Sequence, residues 1–357
     1  MPTVVSARSH LLKVTLAFLL TGGAVADVVP WLYEVEVPVE NQSREARLDA
    51  SGEALLQVLT RVTGLTSVPR VEAVREALSA PGRYYNQFRY LEVEGVGADG
   101  RPIEELKLIV QFERGSLLQL VKDAELPVWR SNRPRVAAWI VLDRGGARSI
   151  LSPEDAAGLA SELSARARDR GVLVSLPLMD LQDSMLVDPA AVWGRVSTVL
   201  EPASARYGAD VVLVGRLQQI GAEQWTGAWD FWLDGDLHPF SMSAENAVRL
   251  VEAGVDFLAD ELAQRHAVLG RFARPVLVGV SGVGSARDYG ELLSYLAELE
   301  FVDDIAVAGV KGDRLGLVLT TRADIEQLLA NFRFDRRLAE LPGAVPGSAD
   351  VELLWRR

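Results

Sequence analysis

The chain has no cysteine and only three histidines among its 357 residues. Without cysteine, disulfides, zinc–thiolate sites, iron–sulfur clusters and thiol nucleophiles are excluded. A serine hydrolase needs a base beside its nucleophile, and the histidines after residue 26 are His238 and His266. We expect both to be structural. His266 falls near the end of a long predicted helix, where the helix dipole favours a cation, and His238 falls in a predicted hairpin strand.

Positive charge and long apolar runs are also scarce. The chain carries 37 Lys and Arg against 49 Asp and Glu, a formal net charge of −12. A nucleic-acid-binding protein carries a basic patch or stripe, and the sequence shows none, so we expect no nucleic acid as a partner. After the N-terminal region, no apolar run approaches the roughly 20 residues with which a helix spans a membrane.

The N-terminal region predicts export. Arg8 and Lys13 supply positive charge, residues 14–20 are apolar, and the small residues of Ala24-Val-Ala26 form a cleavage motif. We therefore interpret residues 1–26 as a secretory signal peptide cleaved after Ala26. The alternative is an uncleaved anchor.

The remaining chain predicts three small units of class α+β or α/β, each with a mixed sheet. The first, residues 27–126, has the order βααββα. The middle unit, residues 135–270, has the order βαβαβββα. The last, residues 271–357, has the order βαββαβ and suggests a ferredoxin-like sandwich. Residues 127–134 are predicted as a linker, because prolines bracket a stretch without apolar periodicity.

Local patterns support these assignments. Residues 32–39 alternate between apolar and charged side chains, which is typical of a half-buried strand. Residues 44–63 carry an apolar stripe at helical spacing, and Gly64 supplies a stop signal. Asp234-Gly235 is a hairpin turn signal between two alternating strands.

Several short motifs occur in a fixed order along the chain. They are Tyr33-Glu-Val-Glu-Val-Pro-Val39, Ala54-Leu-Leu-Gln-Val-Leu-Thr-Arg-Val-Thr-Gly64, Pro127-Val-Trp129, Arg133-Pro134, Arg170-Gly171, Leu176-Pro-Leu-Met-Asp-Leu181 and Arg206-Tyr207. In this order they resemble the "domain of unknown function 2066" family of exported Gram-negative proteins, over residues 31–270. The resemblance implies a periplasmic location and no assigned activity, so no site residue is carried over.

Two more distant similarities rest on architecture alone. Three small α/β units after a signal peptide look like flagellar T-ring assembly proteins. The middle unit is similar to the sheet domain of periplasmic lipoprotein activators of cell-wall synthases.

Candidate metal and cofactor sites are weak. Asp180, Asp183 and Asp188 cluster in one predicted loop and could hold a divalent cation, although the calcium-loop pattern is missing and helix capping is an equal explanation. Gly279 and its neighbouring glycines lie between a strand and a helix but do not complete a dinucleotide or phosphate motif. We therefore predict no catalytic residue, no metal and no cofactor.

Aromatic side chains offer the candidate partner contacts. Trp225, Trp229 and Phe231 share one strand face that we expect to be core, whereas Trp232 lies on the opposite face and is a candidate for surface contact. A second cluster contains Tyr84, Tyr85 and Phe88, together with Tyr90. Core packing is the alternative for both sets.

The favoured hypothesis is a non-enzymatic exported envelope protein that acts through contact with another envelope protein. One alternative is an accessory component of a cell-surface machine such as the flagellar base. Another is a hydrolase or metal-dependent enzyme that uses the loop of Asp180, Asp183 and Asp188. The sequence leaves the partner and the oligomeric state open.

Overall fold

The computed structural model describes residues 29, 31–96, 102–154, 158–233, 236–270, 272–341 and 349–356. Within them, the chain forms ten α-helices and fourteen strands, and the strands build three sheets of three, six and five strands. The predicted class, α+β or α/β with several small mixed-sheet units, is confirmed. The predicted signal peptide, residues 1–26, lies outside the described residues. Among the helices that are described, none is long and apolar enough to cross a membrane.

The N-terminal unit has the predicted order βααββα. Its elements are β1 (Glu34–Pro38), α1 (Arg44–Thr63), α2 (Glu72–Ser79), β2 (Tyr85–Val96), β3 (Pro102–Phe112) and α3 (Arg114–Asp123). The strands pair antiparallel in the order β1-β3-β2. Helix α1 begins where Ser43 Oγ accepts a hydrogen bond from the N–H of Ala46. It ends at Gly64, whose φ of 75° is the left-handed conformation that glycine adopts without strain.

The middle unit is built on the six-stranded sheet. Its elements are β4 (Arg135–Arg144), β5 (Ala147–Ile150), α4 (Leu159–Arg170), β6 (Leu173–Ser175), α5 (Leu181–Leu186), α6 (Pro189–Trp193), α7 (Ser197–Ala205), β7 (Val211–Gly221), β8 (Gln224–Leu233), β9 (Asp236–Ala244) and α8 (Ala247–His266). The strand order is β5-β4-β7-β8-β9, and β6 also pairs with β4. Strand β4 runs parallel to β6 and β7, whereas β7, β8 and β9 are antiparallel.

Helices cover both faces of this sheet. Helices α4 and α8 pack on the face that carries Trp229, and α6 and α7 pack on the face that carries Trp139. Strand β4 is therefore enclosed on both sides, which explains the continuous apolar run over residues 136–142. Gly254 allows α8 to lie directly on Trp229, because a Cβ at this position would overlap the indole ring.

The C-terminal unit contains one strand more than its predicted order βαββαβ. Its elements are β10 (Arg274–Ser281), α9 (Ala286–Ala297), β11 (Val302–Lys311), β12 (Arg314–Thr321), α10 (Ile325–Asp335), β13 (Leu338–Glu340) and β14 (Val351–Trp355). The strand order is β11-β12-β10-β14-β13, and β14 runs parallel to β10. The ferredoxin-like assignment is not confirmed, since the chain forms two strands after α10 and the second of them takes the place beside β10.

Residues 127–134, predicted as a linker, lie at the junction of the three units. Trp129 and Arg133 are almost completely buried. Val128 and Val268 exchange backbone hydrogen bonds at 2.9 Å in both directions, which ties this segment to the residues after α8. The segment is therefore packed between elements that are distant in sequence. Whether the three units are independent domains stays a prediction.

Candidate interaction surface

Four large apolar side chains are exposed over residues 178–186 of the middle unit. Leu178, Leu181, Met185 and Leu186 expose 56, 78, 77 and 53% of their area. Leu181 and Met185 are four residues apart in α5 and therefore share a helix face. Exposed apolar clusters of this kind mark interaction sites on soluble proteins. We refer to these four side chains as the α5 surface.

Side chains from the end of α7 fix the short helix α5. Asp180 is its N-cap, and Oδ1 of Asp180 accepts a hydrogen bond from the N–H of Asp183 at 3.0 Å. Arg206 binds both oxygens of Asp180, with Nη1 2.9 Å from Oδ1 and Nη2 2.8 Å from Oδ2. This bidentate geometry is the strong form of an arginine–carboxylate pair. A helix this short is unstable alone, so these contacts determine its position.

Asp183 is the buried centre of the same network. Its Oδ1 accepts from Arg206 Nη1 at 2.8 Å, and its Oδ2 accepts from the Tyr207 hydroxyl at 2.5 Å. Oδ2 also accepts from the N–H of Met179 at 3.0 Å. Met179 has a φ of 54°, which is uncommon for a residue other than glycine. The carboxylate of Asp183 thus stabilises the turn that places Leu178 before α5.

The charges of this network stabilise one another. Hydrogen bonds from Arg206 hold the pKa of the Asp180 carboxyl well below its usual range. The same contact raises the pKa of the Arg206 guanidinium. Burial raises the pKa of the Tyr207 phenol, and the hydrogen bond to Asp183 raises it further. Asp180 and Arg206 therefore remain a charged pair across the physiological range, and the loop is held in one arrangement.

The three aspartates proposed as metal ligands have other partners. Asp180 and Asp183 come together, but their carboxylates converge on Arg206. Asp188 caps α6, where its Oδ1 accepts from the N–H of Ala191 at 2.7 Å. In the part of the chain that the structure describes, no three Asp, Glu or His side chains form a cluster that could hold a metal ion. Asp180 and Asp183 thus hold α5, and Asp188 caps α6.

Trp232 lies on the same side of the middle sheet as α6 and α7. Its ring is half-buried against the core that contains Val187 and Val212. Leu237 is its partner in the antiparallel register with β9 and is exposed. Trp232 therefore combines core packing with a remaining accessible part. Its contact with a partner stays a prediction.

The second aromatic cluster lies at the edge of the N-terminal core. Tyr84 and Tyr85 are half-buried there, whereas Phe88 is exposed on the edge strand β2. The rings of Tyr85 and Phe88 meet edge to face, with centroids 6.1 Å apart. The Arg47 guanidinium lies 4.6 Å from the centroid of the Phe88 ring. Packing and a cation–π contact thus explain much of this cluster, and its role in partner contact stays a prediction.

His238 and His266 each pack against an aromatic ring. The His238 ring stacks on Phe231 at a centroid distance of 4.7 Å, and its Nδ1 lies 3.1 Å from Glu261 Oε2. His266 is buried in the last turn of α8, with its ring 5.4 Å from that of Phe334. Both positions are explained by packing of the strand and of the helix.

Sequence reasoning did not identify the α5 surface. Its signal was present in Leu176-Pro-Leu-Met-Asp-Leu-Gln-Asp-Ser-Met-Leu-Val187, where four-residue spacing joins Leu181 to Met185. Asp180 and Asp183 in the same segment suggested a different interpretation, because an acidic loop is typical of a cation site. Their actual partner, Arg206, is more than twenty residues away and is brought to the loop by the fold.

A second arginine network lies at the junction of the units. Nη1 of Arg130 is 2.9 Å from Asp335 Oδ2, and its Nε is 3.7 Å from Glu300 Oε2. Glu300 also accepts from the N–H of Ser131 at 3.0 Å, and Asp335 accepts from the Tyr295 hydroxyl at 2.5 Å. The carboxylates of Glu300 and Asp335 are almost fully buried. This network therefore joins the segment 127–134 to the C-terminal unit.

Comparison with protein families corrects the expected family. The model of the family described as Domain of unknown function (DUF8605) matches residues 26–130. The resemblance to the "domain of unknown function 2066" family over residues 31–270 is therefore wrong, because a different domain model matches. What holds is that this part of the chain matches a domain whose function is unknown. The comparison with curated proteins gives no match.

Several solved structures are similar to parts of the chain. The lipoprotein GNA1162 from Neisseria meningitidis matches at 16% identity and a TM-score of 0.23, over 36% of this chain and 99% of its own. A competence or damage-inducible protein from Enterobacter asburiae matches at 15% identity and a TM-score of 0.21, over 37% of this chain and 86% of its own. A competence-damaged protein (CinA) superfamily protein from Escherichia coli matches at 16% identity and a TM-score of 0.21, over 42% of this chain and 86% of its own.

Proposed function

We propose that this protein is a non-enzymatic envelope protein that binds another protein through the α5 surface. The observation that carries the proposal is the exposure of Leu181, Met185 and Leu186 on a helix held by Arg206, and of Leu178 in the turn before it. Burial of one such side chain in an interface contributes about 1.5–3 kcal/mol. Because the loop is already ordered, binding loses little conformational entropy.

The chemistry of the surface defines the partner. Four adjacent apolar side chains fit an apolar groove, and methionine adapts to irregular grooves. Asp180 and Asp188 are exposed beside them. The partner that fits is therefore a protein with an apolar groove and basic side chains at its rim, which also suits the net charge of −12.

Export supports the choice of an envelope partner. Residues 1–26 have the charge, apolar run and cleavage motif of a secretory signal, which supports a periplasmic location for the mature chain. Cell fractionation tests this part: the mature chain recovered from the periplasm is expected to begin at Asp27. Recovery of the intact chain in the cytoplasm would contradict it.

A crosslinking pull-down from envelope extract tests the binding surface. The variant Leu181→Ser/Met185→Ser is expected to lose the protein that the wild-type chain captures. Ile220→Ser is the matched control, since Ile220 is also an exposed aliphatic residue of the middle unit but lies in β7. Equal capture by the double variant and the wild type would overturn the proposal. Capture of flagellar basal-body proteins would identify the partner class in the flagellar alternative.

A further inference from the structure

Strand β11 forms an edge of the C-terminal sheet and carries little protection against pairing. It pairs with β12 on one side, and no described strand lies along its other side. Its central residues, Ile305-Ala-Val-Ala-Gly-Val310, include neither a charged residue nor a proline. An exposed apolar edge of this length presents free backbone N–H and C=O groups to another strand.

Other edge strands among the described residues are protected. Strand β9 contains Pro239, which lacks a backbone N–H, and β2 carries Arg89 and Glu92. Strand β1 has five residues and contains two glutamates and Pro38, and strands β5, β6 and β13 have only three or four residues each. Strand β11 combines ten residues with an uncharged centre. It is therefore the edge most suited to strand addition.

The apolar face of β11 is also incompletely covered. In the register with β12, Ile305 lies opposite Leu319 and Val310 lies opposite Leu315, both buried core residues. Their side chains therefore face the core layer. Even so, Val310 exposes 70% of its area. The core layer thus remains open at this edge, and an added strand would extend and close it.

We propose that β11 pairs antiparallel with β11 of a second copy of this chain, across a two-fold axis between Val307 and Ala308. In this register Asp304 lies opposite Lys311, Ile305 opposite Val310, and Ala306 opposite Gly309 of the other copy. The proposal is independent of the α5 surface, which lies in another unit.

The charges at the two ends of the strand select this partner and this register. Neither Asp304 nor Lys311 makes an ion pair with a residue that the structure describes, whereas Asp303 is already paired with Lys122 and Arg322. Antiparallel self-pairing brings each unpaired acid to the unpaired base of the other copy, twice by symmetry. Opposite charges placed directly across two strands stabilise the pairing.

Side-chain direction selects the same register. Ile305 and Val310 both face the core layer, and Asp304 and Lys311, next to them in sequence, face the opposite side. The proposed register therefore pairs side chains that lie on the same face of the sheet, both for Ile305 with Val310 and for Asp304 with Lys311. Strand β11 has a register irregularity between Val307 and Gly309, next to the proposed two-fold axis. The residue pairs on either side of the axis therefore form outside this irregular stretch.

Sedimentation velocity on the full chain provides the first test. We expect a reversible dimer that dissociates on dilution. Lys311→Asp is expected to weaken it about tenfold, because two attractive pairs become repulsive. The charge swap Asp304→Lys/Lys311→Asp is expected to restore it. A wild-type chain that remains monomeric at millimolar concentration, or a charge swap that fails to restore association, would overturn the proposal.

Crosslinking tests the register directly, since the chain contains no cysteine of its own. Equal amounts of Ala306→Cys and Gly309→Cys are mixed and oxidised. The mixed disulfide is expected to exceed either homodimer by much more than the about twofold excess that random pairing gives, because these positions face each other across the axis. A Cβ at Gly309 meets no atom within 4 Å, so this variant retains the fold. A mixed product of only about twice either homodimer, as random pairing gives, would contradict the register, and matched melting temperatures confirm folding.

Discussion

Two arginine networks in this protein use the same chemistry for different purposes. Arg206 binds Asp180 and Asp183 at the surface of the middle unit, where the network holds exposed apolar side chains. Arg130 binds Glu300 and Asp335 inside the junction of the units. The difference lies in burial: at the junction every group is removed from water, whereas Asp180 remains partly hydrated.

Burial changes what each network contributes. Charges removed from water carry a desolvation penalty that only their partners offset, so loss of one partner leaves the others unpaired. Exposed pairs contribute little to stability, because water replaces a lost partner. The comparison therefore predicts that changes at the junction act on folding, and that changes at the α5 surface act on binding.

The largest expected effect follows loss of Arg130. Arg130→Ala removes the guanidinium that contacts both buried carboxylates, leaving Glu300 with Arg114 alone, and we expect it to lower the free energy of unfolding by about 3–5 kcal/mol. Urea unfolding followed by circular dichroism measures this change. Arg75→Ala, which removes an exposed pair with Glu72, is the control and should have almost no effect. A loss equal to that of the control would show that the junction is not a buried ionic network.

A smaller effect is expected at the centre of the α5 network. Asp183→Ala removes the acceptor of Arg206, Tyr207 and the Met179 N–H, and we expect a loss of about 1–3 kcal/mol. Partner binding should fall as well, since α5 loses its support. Asp188→Ala removes a helix cap in the same segment and is the control for local helix stability. If Asp183→Ala leaves binding intact, the surface does not depend on this network.

The pH dependence of stability distinguishes the networks further. Burial raises the pKa of the Glu300 carboxyl, but the contacts with Arg130, Ser131 and Arg114 together outweigh burial and lower the pKa below its usual value. A lowered pKa stabilises the folded state above the unfolded value of about 4.3, and this contribution is lost as the pH falls through the folded value. Wild-type stability should therefore fall as the pH decreases below about 4.3. Glu300→Gln should flatten this part of the profile, and an unchanged slope would contradict the assignment.

The smallest effect on stability is expected at the α5 surface itself. Leu181→Ser and Met185→Ser change exposed side chains, so the free energy of unfolding should remain within about 0.5 kcal/mol of the wild-type value. Thermal and urea unfolding check this. A large loss of stability in either variant would mean that these side chains pack in the folded protein, and the contrast between surface and junction would fail.

Much of the fold was accessible from local sequence signals. The apolar stripe of residues 44–63 and the stop at Gly64 agree with the bounds of α1. The alternation of residues 32–39 agrees with β1. These signals are local, because side chains repeat every 3.6 residues in a helix and every two in a strand. The place of β14 beside β10 carries no such signal, because sheet order is set by pairing between distant segments.

The candidate site was only partly accessible. The loop of Asp180 and Asp183 was recognised, but its purpose was not, because Arg206 is distant in sequence. The buried segment around Arg130 was predicted as a linker on its prolines and its lack of periodicity. Such a segment has the same local pattern whether it is exposed or enclosed by other units.

The sequence by itself determined most of the longer elements, the class of fold and the absence of thiol chemistry, since these follow from residue type and short-range periodicity. The tertiary structure alone decided that Leu181 and Met185 face water, that Arg130 is enclosed, and that no described strand pairs with the free edge of β11. Exposure depends on which distant elements cover a residue, and local periodicity does not encode those contacts.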